Sequence, residues 1–236
     1  MAKIISKCPD CGIEREIEYD REPSGNPAHN DIFENWARNM ICGECQTKQD
    51  EEERLKKEAV AQALTDLRVR EAGFPKGLVD YDPAKGNKEL LAWMRTHRDG
   101  SLYISGGYGL GKTWAVCHAG RAMCKAGKKV LFYPCVDLLR RVVFTLTAGG
   151  LELLDEAQNC ELLILDDLGK EKTNEKAAEA LFSIVDARYR DGLPMWITSN
   201  YKLSTLEDRM GDIGEAIARR LREMCVNYEP DKEVAK

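Results

Sequence analysis

The spacing of apolar residues takes three forms along the chain. Residues 1–48 hold no long apolar run and are broken by Pro9, Gly12, Pro23, Gly25 and Pro27, which predicts a small loop-rich module. Over residues 49–72, Leu55, Ala59, Ala63, Leu64 and Leu67 recur at helical spacing among interleaved charges, which predicts one amphipathic helix. Gly73-Phe74-Pro75 ends it, because a proline pushes the residue before it out of helical geometry. From residue 100 onward, short apolar runs alternate with helical patterns. Strands are predicted at 102–105, 129–133, 162–166 and 195–199, and helices after Lys112 and near 136–147, 151–158 and 175–190. That alternation predicts an α/β fold with a parallel sheet sandwiched by helices. The expected division is a module over 1–48, a linker helix over 49–72 and a main domain over 73–236.

Composition narrows the function classes. At roughly 100 to 200 residues per domain, 236 residues make one full domain and a small companion. The net charge of −5 excludes a polyanion binder held by bulk charge, so any nucleic-acid contact must be local. Acidity sits at the front: residues 1–48 carry six basic against nine acidic side chains, whereas 73–236 balance at 24 each. The N-terminus lacks an apolar signal core and no run approaches membrane-spanning length. The nine cysteines are therefore expected to be reduced thiols of a cytoplasmic protein without a membrane partner.

After the first strand comes Gly106-Gly107-Tyr108-Gly109-Leu110-Gly111-Lys112-Thr113, which fits G-x-x-x-x-G-K-[ST] between a strand and a helix, and these residues with Trp114 after them form the expected nucleotide-binding set. Glycines there let successive N–H groups turn toward phosphate oxygens, and the positive end of the following helix adds to the attraction. Lys112 is expected to hold the β/γ-phosphates of ATP, and Thr113 a Mg²⁺ ion. The run Leu162-Leu163-Ile164-Leu165-Asp166-Asp167 reads as a buried strand delivering two acids at its C-terminal end. Asp166 is expected to bind Mg²⁺ and Asp167 to orient the attacking water. Asn200, after the strand 195–199, arrives at the same sheet edge and is placed to position that water. Arg219, Arg220 and Arg222 cluster on a short helix after the last clear strand, where arginine can stabilise charge on a transferring phosphoryl group.

These elements in this order resemble the AAA+ ATPases. The specific branch is the bacterial and phage replicative-helicase loaders of the DnaC type, with the related transposition helpers of the IstB type. The resemblance spans about residues 70–228 and includes Ala72-Gly73-Phe74-Pro75, Asp137-Leu138-Leu139, Leu165-Asp166-Asp167-Leu168-Gly169, Ile197-Thr198-Ser199-Asn200 and Ala218-Arg219-Arg220-Leu221-Arg222-Glu223-Met224-Cys225. It implies Lys112 and Thr113 as Walker A, Asp166 and Asp167 as Walker B, Asn200 as sensor 1 and Arg220 as the arginine finger, with Arg219 as second choice. A finger acting in trans implies head-to-tail self-association. The resemblance also implies single-stranded DNA along residues 136–158, with Arg140, Arg141, Lys170 and Lys172 as candidate phosphate contacts. Two departures matter. The second Walker B acid is Asp rather than the frequent Glu, which implies slow hydrolysis, and the chain stops too soon after Arg222 for a full helical lid.

Cys8-Pro9-Asp10-Cys11 and Cys42-Gly43-Glu44-Cys45 are two C-x-x-C pairs separated by 30 residues. Four thiolates give a closed tetrahedral site, so structural zinc is the expected ligand. A redox pair would need a thioredoxin-like setting that neither pair has. His29 is a spare-ligand candidate only, and Cys117, Cys124, Cys135, Cys160 and Cys225 are expected to act as small buried apolar groups. The aromatics Tyr19, Phe33 and Trp36 are not set among basic residues, so the module is expected to meet a protein. The loader resemblance implies that this protein is the replicative DNA helicase. The alternatives are an IstB-type helper acting on duplex DNA with a transposase, and a P-loop small-molecule kinase, for which no acceptor pocket or lid is legible.

Overall fold

The structure, a computed structural model, describes residues 2–19, 42–78, 86–148, 150–169 and 175–230. His29, Phe33, Trp36, Lys170 and Lys172 lie outside them. The chain divides into two compact units, Met1–Ala63 and Leu64–Lys236.

In the first unit, strands β1 (Ala2–Lys7) and β2 (Glu14–Tyr19) form an antiparallel hairpin in which Lys7 pairs with Glu14. The sequence reading missed this hairpin. Lys3, Lys7, Glu14, Glu16 and Glu18 alternate along it as exposed ion pairs, so it lacks the apolar run that marks a strand. Helix α1 (Gly43–Glu71) begins before the predicted residue 49, and none of its residues is buried. Leu55, Val60, Leu64 and Leu67 are all exposed, so the amphipathic pattern does not translate into a buried face.

The second unit holds a five-stranded parallel sheet. In chain order its elements are α2 (Lys88–Thr96), β3 (Ser101–Ser105), α3 (Lys112–Lys125), β4 (Val130–Pro134), α4 (Cys135–Thr147), α5 (Glu152–Asn159) and β5 (Leu162–Leu168). Then follow α6 (Glu175–Asp191), β6 (Met195–Ser199), α7 (Leu203–Met224) and β7 (Cys225–Tyr228). The strand order is β4-β5-β6-β3-β7 with every pairing parallel, which inserts β6 between the strand before the P-loop and the strand bearing the acids. A parallel sheet must bury both faces. Tyr103, Leu131, Leu163, Leu165 and Ile197 join the core formed with α4, α5, α6 and α7, while their neighbours Leu102, Phe132, Ile164 and Trp196 face the core formed with α2 and α3. Gly120 lets α3 close on the sheet, since a Cβ there would stand 2.6 Å from Ile164 Cδ1.

Three expectations need correction. β7 is a fifth strand that the sequence reading did not contain. Its polar Asn227 and its short length weaken the strand signal, and pairing with β3 supplies what the pattern lacks. The arginines sit on a 22-residue helix rather than a short one, and that helix precedes a strand instead of ending the fold. Helix α2 was also missed; Asn87 caps it by accepting from Leu90 N–H at 2.9 Å.

Arg188 on α6 is fully buried, and among the described residues none of its hydrogen bonds goes to a carboxylate. Its guanidinium instead donates to the carbonyls of Ala157 (2.9 Å), Gln158 (3.2 Å), Cys160 (3.0 Å) and Pro194 (2.6 Å). It thus closes the C-terminal end of α5 and ties it to the entry of β6. Replacing Arg188 by Ala leaves these carbonyls unsatisfied, and urea unfolding should show a loss of about 3 kcal/mol; a loss under about 1 kcal/mol would contradict this role.

Candidate nucleotide site and cysteine cluster

The C-terminal ends of β3, β6 and β5 meet at one edge of the sheet, and each delivers part of the site. After β3 the chain turns through Gly109 (φ +81°) and Gly111 (φ +79°), left-handed conformations that favour glycine, and enters α3 at Lys112. The loop is anchored twice. Gly106 N–H donates to Ser199 O at the end of β6 (3.3 Å), and Asn87 Nδ2 donates to Leu110 O (3.2 Å). Lys112 is buried, and its ammonium donates to Gly106 O (2.8 Å), Gly107 O (2.9 Å) and Asn200 Oδ1 (2.9 Å). Tyr108 stands 79% exposed at the loop tip. The Trp114 ring is buried in the core and stacks on His118 at 5.2 Å. What remains to it near the loop is its backbone in the first turn of α3.

Asp166 is buried at the end of β5, with the Thr113 hydroxyl 2.9 and 3.0 Å from its two oxygens. Asp167 carries φ +61°, the one positive φ of a non-glycine among the described residues, and accepts from Asn200 Nδ2 at 3.2 Å. Asn200 therefore bridges Lys112 on one side and Asp167 on the other. Lys112, Thr113, Asp166, Asp167 and Asn200 are thus brought together. The sequence reading missed Thr198 and Asn87, whose polar side chains join these groups. A threonine directly after the apolar Met195-Trp196-Ile197 run was the available signal. Burial, with the Asp166 charge second, pushes the Cys117 thiol up to about 12, so it is a protonated core group and no nucleophile.

Arg220 is folded onto its own chain. Its Nε lies 2.5 Å from Asp186 Oδ1, and its guanidinium covers the Phe182 ring at 4.6 Å. Arg219 is exposed beside Glu223. Arg140 pairs with Asp137 and Arg141 lies over the Tyr133 ring.

In the first unit, Cys8 and Cys11 flank the hairpin turn while Cys42 and Cys45 open α1. Their four sulfurs lie within 4.8 Å of one another as free thiols. Zinc–sulfur bonds of about 2.3 Å in a tetrahedron put sulfurs about 3.8 Å apart, so the donor set fits such an ion. Cys42 N–H, and after it Cys11 N–H, pull the Cys8 thiol down to about 6, while the neighbouring thiols push Cys45 up.

A parallel α/β sheet with a P-loop and acids across an intervening strand defines a P-loop ATPase of AAA+ architecture. Within that class the chain belongs to the IstB-like ATP-binding proteins, whose family model matches residues 76–230. An insertion-sequence ATP-binding protein of Sinorhizobium fredii is 26% identical over 171 residues, covering 69% of this chain and 68% of that protein. The replicative helicase loader DnaC of Escherichia coli K12 is 27% identical over 129 residues, 52% of this chain and 50% of the loader. The crystal structure of a DnaC helicase loader is similar at a TM-score of 0.53 and 25% identity, covering 64% of this chain and 93% of that one. The cysteine unit stands ahead of the matched region. Replacing Lys112 by Ala removes the buried cation of the loop and should weaken ATP binding at least about tenfold in calorimetry; unchanged affinity would contradict the assignment of the loop.

Proposed function

We propose that the chain is an ATP-controlled replicative helicase loader that places the helicase on single-stranded DNA. The observation that carries this reading is the pairing of a complete P-loop site with a separate four-cysteine unit ahead of the family match. A nucleotide switch needs something to deliver, and a separate small module gives it a docking part. In this reading residues 1–48 hold zinc through Cys8, Cys11, Cys42 and Cys45 and bind the helicase, 49–72 link, and 73–236 form the ATPase. The setting is the cytoplasm of a bacterium or of a phage-infected cell.

Backbone N–H groups from Gly107 to Trp114, with Lys112, bind the phosphates of ATP. Thr113 and Asp166, already within hydrogen-bond reach of each other, hold magnesium. The ion, when bound, screens the phosphate charge. Asp167 orients the attacking water, and Asn200 keeps Asp167 in step with Lys112. The short side chain of Asp167 makes turnover slow, so ATP acts mainly as an assembly signal. Arg220 acts on the site of the next protomer in a head-to-tail assembly, exchanging Asp186 for phosphate, with Arg219 as the second candidate. The exposed face of helix α4, with Arg140 and Arg141, meets single-stranded DNA.

A second reading is a transposition helper, favoured by the similarity to the Sinorhizobium protein over two thirds of its length. Co-elution separates the two. The full chain is expected to bind the replicative helicase of its own host with ATP, and the Cys42→Ser/Cys45→Ser chain to lose both zinc and helicase. Binding by neither chain in any nucleotide state would overturn the loader reading. Replacing Arg220 by Ala should leave ATP binding within about twofold and lower turnover at least about 100-fold; equal turnover would remove Arg220 from the finger role.

A further inference from the structure

We infer that Thr198 is the positioning residue of the acid pair: its hydroxyl holds a bulge in β5 that aims Asp166 at Thr113 and Asp167 at Asn200. The inference rests on the nucleotide–magnesium reading of the site and adds to it a residue with no role assigned there. In a regular strand, adjacent side chains point to opposite faces, so two consecutive acids reach one site only where the strand ends or is distorted. Here the register is broken. Leu165 pairs with Ile197 and Leu168 with Ser199, so β5 advances three residues while β6 advances two. The extra residue is absorbed where Asp167 turns left-handed, a conformation that residues with a Cβ disfavour and that surrounding bonds must therefore hold.

Those bonds come from β6. The fully buried Thr198 hydroxyl accepts from Asp167 N–H at 2.9 Å and donates to Asp166 Oδ1 at 2.6 Å. One small group thus fixes the backbone of the second acid and the carboxylate of the first. The neighbouring Ser199 hydroxyl donates to Leu168 O at 2.7 Å and closes the far side of the bulge. Thr198 is itself immobilised, since its strand pairs with β3 at Ile104. With Thr198 on Oδ1 and Thr113 against both oxygens, the plane of the Asp166 carboxylate is set. Valine has nearly the shape of threonine but can neither donate nor accept, so it isolates the hydroxyl.

The test uses the full chain, with magnesium titrated against a fluorescent ATP analogue and against steady-state turnover. Thr198→Val should raise the magnesium concentration for half-maximal effect about tenfold and lower kcat by a similar factor. Its affinity for the analogue in EDTA should stay within about twofold, because the P-loop contacts are untouched. Thr198→Ser, which keeps the hydroxyl, should return both quantities to within about twofold of the parent. A magnesium response and kcat of Thr198→Val equal to the parent's would overturn the inference. If the valine chain does not fold, Thr198→Cys, with its weaker thiol donor, should shift the magnesium response about threefold, and no shift would overturn it equally. A parent chain that binds no nucleotide would instead overturn the reading of the site on which the inference stands.

Discussion

The constraint on which this structure turns is that charged groups buried at one sheet edge must be satisfied by polar groups placed around them. Lys112 and Asp166 are only 6% and 7% exposed, and in so sheltered a position an unpaired charge is costly. The sheet solves this by topology. Placing β6 between β3 and β5 lets Thr198 and Asn200 bond to groups from both neighbours. The P-loop is anchored to the same strand through Ser199 O, so loop and acids share one reference. The two cores on either face of the sheet keep those strand ends in place.

Function follows from what this edge can sense. Asn200 touches Lys112 and Asp167 at once, so a change at one is felt at the other. In the proposed loader reading, this link lets the nucleotide state act as a signal to a partner. The four sulfurs ahead of the ATPase core fit a closed zinc site, and a closed site supports structure rather than chemistry. This chain is similar both to proteins named for insertion sequences and to a helicase loader.

Much of the site was legible because its chemistry is local. The P-loop glycines, Lys112 and the paired aspartates each carry a spacing signal, and the four large apolar strands carry their own. What escaped depends on contacts distant in sequence. β7 becomes a strand by pairing with β3, and the charged hairpin β1–β2 by pairing with itself. Trp114 adjoins the P-loop in sequence, yet helical geometry turns its ring into the core. The bulge that lets Asp166 and Asp167 serve one site is invisible in an Asp-Asp dipeptide, because Thr198, 31 residues beyond Asp167, holds it. Arg220 was readable as a charge on a helix, but its pairing with Asp186 was not.

The most direct test of the central claim is to incubate the full chain with its host's replicative helicase and a covalently closed single-stranded DNA circle, then measure helicase retained on the circle. The loader reading predicts retention that requires this chain and ATP and falls away with ADP. Absence of retention in every nucleotide state, together with ATP-dependent capture of duplex DNA alongside a transposase, would contradict it.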